Sequence, residues 1–250
     1  MEVSFEEHEV YTELTAEEKI AFYHKMKQVV VYVESFLDES KITMRTGGGV
    51  LLSCNGHVIT SAHLIENSGT DLFFSLQDGE RVAADVVDVD FSKDLAVIKP
   101  KREFCDRVFN FAKFGEVSRC TVGARMVTIH NRVVHPRDLP RNVLVVGYLA
   151  FPADDLSEVG RYRSVGPLIS GANDPTKFAK YDRNLNIMQI ANFKDAVTGG
   201  AVFDSQGRVV GVLAFRLHGF YFAVHLDVVK RFFEKVISTE KSKAEEMEKR

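Results

Sequence analysis

In Val50-Leu-Leu-Ser-Cys-Asn-Gly-His-Val-Ile-Thr60 two short apolar runs flank Asn55-Gly56. That dipeptide tolerates the positive φ angles of a tight hairpin turn, so the segment is expected to fold back on itself as two antiparallel strands. A second hairpin follows in Asp71-Leu-Phe-Phe-Ser-Leu76, Asp78-Gly79 and Arg81-Val-Ala-Ala-Asp-Val-Val-Asp-Val89. Around these lie more short β-branched or alternating runs: Val29-Val-Val-Tyr-Val-Glu-Ser-Phe36, Leu95-Ala-Val-Ile98, Arg125-Met-Val-Thr-Ile129, Asn142-Val-Leu-Val-Val146, Ile187-Met-Gln-Ile190 and Ala201-Val-Phe203. The last is expected to pair across Asp204-Ser-Gln-Gly207 with Val209-Val-Gly-Val-Leu213. Many short strands, turn signals between them and no alternating helices predict a mainly β chain of antiparallel barrels rather than a parallel sheet. Two barrels fit the length. The least patterned stretch, Lys101 to Thr121, is the expected crossover. Gly47-Gly-Gly49 permits a tight or left-handed backbone just before the first hairpin.

Helical signals sit at the two ends. Thr15-Ala-Glu-Glu18 has the spacing of a capping box ahead of Ile20, Phe22, Tyr23 and Met26. Asp227 is placed to cap a helix whose pairs Val228/Val229, Phe232/Phe233 and Val236/Ile237 recur at helical spacing. The charged residues beyond Ser238 read as a solvated extension or a frayed tail. The expected organisation is an N-terminal helical segment at 1–28, a first barrel at 29–110, a second at 111–226, and a helix with a charged tail at 227–250. No internal repeat is detectable.

The 250 residues are 45% hydrophobic and 27% charged, which suits a folded chain with a substantial core and excludes disordered or fibrous classes. A net charge of −3, from 32 basic and 35 acidic side chains, creates no field for phosphate polymers or anionic lipid. Nucleic acid and membrane are therefore not expected partners. No apolar run approaches the roughly 18 residues that span a bilayer. The start, Met-Glu-Val-Ser-Phe-Glu-Glu-His-Glu, is acidic where signal and transit peptides are basic, so a soluble cytoplasmic chain is expected. Cys54, Cys105 and Cys120 are too few and scattered for a disulfide framework and lack metal-ligand spacing, and they read as reduced structural thiols. No metal or cofactor is expected.

Thr60-Ser-Ala-His63 sets a histidine directly after an apolar strand, as a general base or simply a hydrogen-bonded strand end. Asp94 opens the buried run Leu95-Ala-Val-Ile98, where a carboxylate needs partners. Asp195-Ala-Val-Thr-Gly-Gly-Ala201 is a glycine-hinged turn that places a hydroxyl before another strand. The chain order histidine, aspartate, hydroxyl matches one of the arrangements of a catalytic triad. Other candidates have plainer readings. His130 and His135 are five apart, out of register for a helical metal pair, and read as surface loop residues. Ser205 fits its turn, and His225 a core or strand-end position.

From about Val29 to Ile237 the chain resembles the trypsin-like serine peptidases of the HtrA (Do-like) group. The resemblance is carried by Gly47-Gly-Gly-Val-Leu-Leu-Ser, Gly56-His-Val-Ile-Thr-Ser-Ala-His63, Asp94-Leu-Ala-Val-Ile-Lys99, Thr198-Gly-Gly, Gly207-Arg-Val-Val-Gly-Val and Phe222-Ala-Val-His-Leu-Asp-Val-Val-Lys-Arg-Phe. It implies two perpendicular six-stranded barrels with a site between them, His63 as general base and Asp94 as its orienting acid. Where the group carries serine, this chain has Thr198, and where it carries the oxyanion-hole glycine, this chain has Ala196; the oxyanion donors would be the N–H groups of Ala196 and Thr198.

The extra methyl of threonine and the Cβ of alanine both weigh against efficient catalysis. The resemblance thus implies a pseudoprotease that binds peptides or unfolded protein segments in the cleft. The alternative is an active endopeptidase with Thr198 as nucleophile. By the same analogy a homotrimer is one possible assembly. Val197 stands where zymogen-activated relatives carry aspartate, so activation by cleavage is not expected, nor is substrate capture by a C-terminal PDZ-like module. The stretches Ala150-Phe-Pro-Ala-Asp-Asp-Leu-Ser-Glu-Val-Gly160 and Ser170-Gly-Ala-Asn-Asp-Pro175 read as mobile loops beside the cleft.

Overall fold

The run Leu95-Ala-Val-Ile98 shows how this sequence builds its core. It lies in β6 (Leu95–Pro100), and all four side chains are fully buried. Successive strand residues face opposite ways. Ala96 and Ile98 enter one barrel's own core, whereas Leu95 and Val97 join a larger core that both barrels and the terminal helices share. A strand buried on both faces has no place for polar alternation, so it reads as an unbroken apolar run. The same split occurs at β3 (Val58–Thr60), with Val58 facing the barrel interior and Ile59 the shared core.

The computed structural model describes residues 14–36, 44–66, 71–104, 106–132, 141–155, 181–182, 184–217 and 219–248. In it, β1 (Val30–Phe36), β2 (Met44–Leu51), β3, β4 (Leu72–Ser75), β5 (Arg81–Asp90) and β6 close a barrel in the order β1-β2-β3-β6-β5-β4. A second barrel holds β7 (Arg125–Arg132), β8 (Arg141–Asp155), β9 (Asn186–Ala191), β10 (Ala201–Phe203), β11 (Val209–Leu217) and β12 (Phe220–His225), in the order β10-β11-β12-β9-β8-β7. Read around the closed ring, the second order repeats the first, although no repeat is detectable in the sequence. Topology depends on which strands hydrogen-bond, and the alternation that permits pairing tolerates almost any apolar residue. Between the barrels, residues 101–124 run without a strand, as expected for the crossover.

The helices arise as their signals suggest, with one change. At α1 (Ala16–Met26) Thr15 and Glu18 form the reciprocal capping box, with bonds of 3.1 and 2.8 Å, and Phe22 and Met26 face the shared core. A four-residue helix, α2 (Ala62–Ile65), follows β3. The long C-terminal helix α3 (Leu226–Glu248) starts two residues earlier than a cap at Asp227 would set it. Asp227 lies inside its first turn, and the buried His225 ring supplies the cap, its Nδ1 accepting the Asp227 N–H at 3.2 Å. Val229, Phe233 and Val236 bury the inner face of α3. Beyond Ser238 the helix continues, and Glu240 binds Lys99 at 2.5 Å and His57 at 2.6 Å on the first barrel. Against the upward pull of burial, these two bonds hold the Glu240 carboxyl below the usual carboxylate range. Among the described residues no helix is long and apolar enough to cross a membrane.

His225 carries a pH prediction. Burial pushes its pKa below the ordinary histidine value, outweighing the opposing charge of Asp227. As pH falls below about 6.5, the unfolded chain gains a proton that the native ring resists, so stability drops until the lower native pKa is crossed. His225→Asn keeps a helix-capping side chain and removes the proton. The stability advantage of the wild type over this variant, from urea midpoints, is expected to shrink as pH falls from 7 to 5. Parallel curves would refute the assignment.

Candidate active site

The two barrels meet along the segment Gly47-Gly48-Gly49 of β2 and the turn that leads into β10. None of these three glycines adopts a left-handed φ, so the left-handed backbone that the sequence permits is not what they provide. They provide proximity. A Cβ on Gly48 would lie 2.7 Å from the Gly200 Cα, and one on Gly47 would lie 2.8 Å from the Thr198 carbonyl oxygen. With no side chain in the way, Gly48 N–H donates to the Thr198 carbonyl at 2.9 Å, and the Thr60 hydroxyl donates to the Gly48 carbonyl at 2.7 Å. On the other flank Gly199, at φ 81°, donates its N–H to Leu213 at 2.7 Å.

This seam brings His63, Asp94 and Thr198 together from separate elements. His63 lies in α2, held by its own N–H donating to Asp94 Oδ1 at 2.9 Å. The His63 Nδ1 lies 2.9 Å from both Asp94 carboxylate oxygens, and its Nε2 lies 3.1 Å from Thr198 Oγ1. Asp94 sits in the β5–β6 turn with a φ of 53°, a left-handed conformation that aspartate adopts more readily than most residues. Its side chain is 3% exposed, whereas that of His63 is 38% exposed. The backbone of Asp94 adds a second tie by accepting the Ala62 N–H at 3.1 Å. A buried carboxylate gripping a half-open imidazole, with a hydroxyl beyond it, is the geometry of a proton relay to an oxygen nucleophile.

One participant escaped the sequence reading. The Tyr181 hydroxyl donates to Asp94 Oδ2 at 3.4 Å, and its ring packs on Phe215 with centroids 6.0 Å apart. Burial, reinforced by the Asp94 charge, holds its phenol proton far more tightly than usual. No spacing in the sequence links residues 181 and 94; in the fold the Asp182 N–H donates to the Ser92 carbonyl at 2.8 Å and brings the two segments together.

The turn before Thr198 differs from an unhindered glycine turn. The left-handed φ falls on Asp195, at 53°, and Ala196 lies outside that region. Ala196 packs against the small core that holds Tyr221.

Of the other candidates, His130 is a correction: it is buried on β7, opposite Val143, and is not a surface loop residue. Its strand continues past Ile129, so the polar look of Asn131-Arg132 misplaces the strand end. Residues 150–155 belong to β8 and are not a loop. His135, Cys105 and positions 156–160 and 170–175 lie outside the described residues. Cys54 is a free, exposed thiol in the hairpin turn. Cys120 is buried, and burial together with Asp204 and Asp227 pushes its pKa up to about 11, unsuited to nucleophilic work at neutral pH. Ser205 is exposed in its turn, and His225 is the helix cap described above.

Comparison with known proteins places these residues in a family context. A profile of the trypsin-like peptidase domain matches residues 47–212. The putative serine protease HhoB of Synechocystis is 28% identical, aligned over 67% of this chain and 33% of its own. A probable periplasmic DegP-like serine endoprotease of Bartonella henselae is 30% identical over 66% of this chain and 27% of its own. The serine endoprotease DegS of Haemophilus influenzae is 25% identical over 76% of this chain and 50% of its own. The chain thus spans a third or less of the first two relatives and half of the third.

Proposed function

We propose, for a chain that belongs to the trypsin-like peptidase family and is a homologue of the HtrA/Deg serine proteases, that it binds extended peptide segments in the cleft between its barrels and that its catalysis is impaired. The observation that carries this reading is the backbone at Ala196. An oxyanion needs an N–H aimed at the reacting carbonyl, and here the left-handed residue of the turn is Asp195, one position before Ala196. The methyl of Thr198 further limits rotation of its Oγ1.

Peptide capture needs a free strand edge. The pairing of β11 with β10 reaches Val212, while its pairing with β12 continues past a bulge between Leu213 and Phe215 to Leu217. On the side away from β12, Arg216 and Leu217 have no strand beside them among the described residues, and an extended peptide laid there would gain backbone hydrogen bonds. The free thiols of Cys54 and Cys120 suit a reducing, cytosol-like setting for this role.

The 3.1 Å contact from His63 Nε2 to Thr198 Oγ1 favours a second reading, an active endopeptidase. In that cycle Thr198 Oγ1 attacks the peptide carbonyl carbon as its proton passes to His63 Nε2. The adduct then breaks its C–N bond, and the imidazolium returns the proton to the departing amine. Water, deprotonated by the same imidazole, releases the acyl group from Thr198. Asp94 would stay ionised and hold the ring.

Incubation with fluorescent unfolded casein, beside Thr198→Ala, separates the readings. Binding by anisotropy with equal, background cleavage in both proteins is the expected result. Cleavage that disappears in Thr198→Ala would establish the peptidase instead.

A further inference from the structure

A carboxylate as deeply buried as that of Asp94, a residue 2% exposed, depends on hydrogen-bond donors at both of its oxygens. Oδ1 has the His63 backbone N–H and the imidazole Nδ1, each at 2.9 Å. Oδ2 has the same Nδ1 at 2.9 Å and, on its other side, the Tyr181 hydroxyl at 3.4 Å. Among the described residues, Tyr181 and His63 are the two side chains that hydrogen-bond this carboxylate. The phenol holds its proton more tightly than usual, so near neutral pH it acts as a donor.

The two ends of this bond belong to different barrels. Asp94 lies in the β5–β6 turn of the first, whereas the Tyr181 ring packs on Phe215 of β11 in the second, with centroids 6.0 Å apart. Phe215 is itself stacked on Phe222, its partner across the β11–β12 pair, at 4.9 Å and 15° between planes. A ring seated against such a stack has little freedom to turn. The backbone one residue further on is tied as well, since the Asp182 N–H donates to Ser92, two positions before Asp94. The hydroxyl is therefore delivered to Oδ2 by a brace with two points of attachment. Its effect on the carboxylate follows from charge: an ionised carboxylate that accepts a further hydrogen bond is less basic and pulls less strongly on its other donors.

We propose that Tyr181 is a positioning residue for this site, whose hydroxyl fixes the rotation of the Asp94 carboxylate, takes part of its charge, and so sets the strength of the bond that Asp94 accepts from His63 Nδ1–H. The catalytic use of that bond rests on the endopeptidase reading above; the bond itself does not.

The test follows the His63 Nδ1 nitrogen resonance, detected through the carbon-bound protons of the ring, in the wild type and two variants. Tyr181→Phe removes the donor and keeps the ring on Phe215. The second variant replaces Tyr181 with a fluorotyrosine whose fluorine adjoins the hydroxyl, which makes the donor stronger at nearly the same size. The Nδ1 resonance is expected to move downfield in Tyr181→Phe, because a carboxylate relieved of one donor pulls harder on Nδ1–H, and upfield in the fluorotyrosine variant. A role confined to packing leaves it in place in both. An unmoved resonance in folded Tyr181→Phe, or movement in the same direction in the two variants, overturns the proposal. Should Tyr181→Phe fail to fold, an unmoved resonance in the fluorotyrosine variant overturns it alone. The readout requires no peptide. If casein is neither bound nor cleaved, the functional readings fall, while opposite shifts in the two variants still uphold the role of Tyr181 at Asp94.

Discussion

The double variant Thr198→Ser, Ala196→Gly is expected to cleave unfolded casein about a thousandfold or more faster than the parent chain. Two losses are reversed at once. A missing oxyanion donor costs about 10²–10³ in turnover. Removing an overpacked methyl recovers about 1–3 kcal/mol, and each 1.4 or so is about a tenfold rate gain. The rest of the machinery is already in place, since His63 Nε2 stands 3.1 Å from the hydroxyl and Asp94 holds the ring through two contacts of 2.9 Å. Glycine at 196 can adopt the left-handed backbone that alanine resists, which lets its N–H turn toward the reacting oxygen.

The two single variants should fall well short of the product of their effects, because donor and nucleophile act on one adduct. A folded double variant with no more activity than the parent would show that the substitutions are not what limits the site.

Gly199→Ala is expected to lower the melting temperature by about 5–15 °C and to open the site. At φ 81° an added Cβ is strained by about 1–2 kcal/mol. It would also press on the Gly48 carbonyl oxygen and lie 2.6 Å from the Thr60 hydroxyl, an overpacking that adds about 1–3 kcal/mol. For a chain of this size each kcal/mol is worth about 2–4 °C. Gly123→Ala supplies the control, because Gly123 has a φ of 82° and nothing within 4 Å of its Cβ position. It should lose only the conformational part. If the two variants melt together, the close approach of the barrels is not what Gly199 supports. The same substitution should also weaken peptide binding, because Gly48 and Thr198 span the seam that positions Thr198 against His63.

Much of this protein is legible without coordinates. The hairpin at Asn55-Gly56, the run Leu95-Ala-Val-Ile98 and the capping box at Thr15 each carry their structure in residues a few positions apart. His63 and Asp94 each adjoin a strand whose apolar pattern marks it as buried, and the chain order histidine, aspartate, hydroxyl together with the family resemblance singled them out. His130 was misread because its strand continues through polar residues. His225 is the buried strand end that the sequence suggests, but its capping of the next helix with a ring nitrogen is a use to which no residue pattern points. Gly48 is a glycine for the sake of Gly200, 152 positions away. Tyr181 acts on Asp94 across 87 positions.

Chemistry within the reach of one strand or one turn was therefore written in the residues themselves: short alternating strands, two closed barrels, and the identity of an imidazole, a carboxylate and a methyl-bearing alcohol. Tertiary structure alone decided how near those groups stand and that Asp195 takes the left-handed backbone of the turn. Periodicity follows from the geometry of a single peptide segment, whereas those distances follow from two backbones meeting where neither carries a side chain.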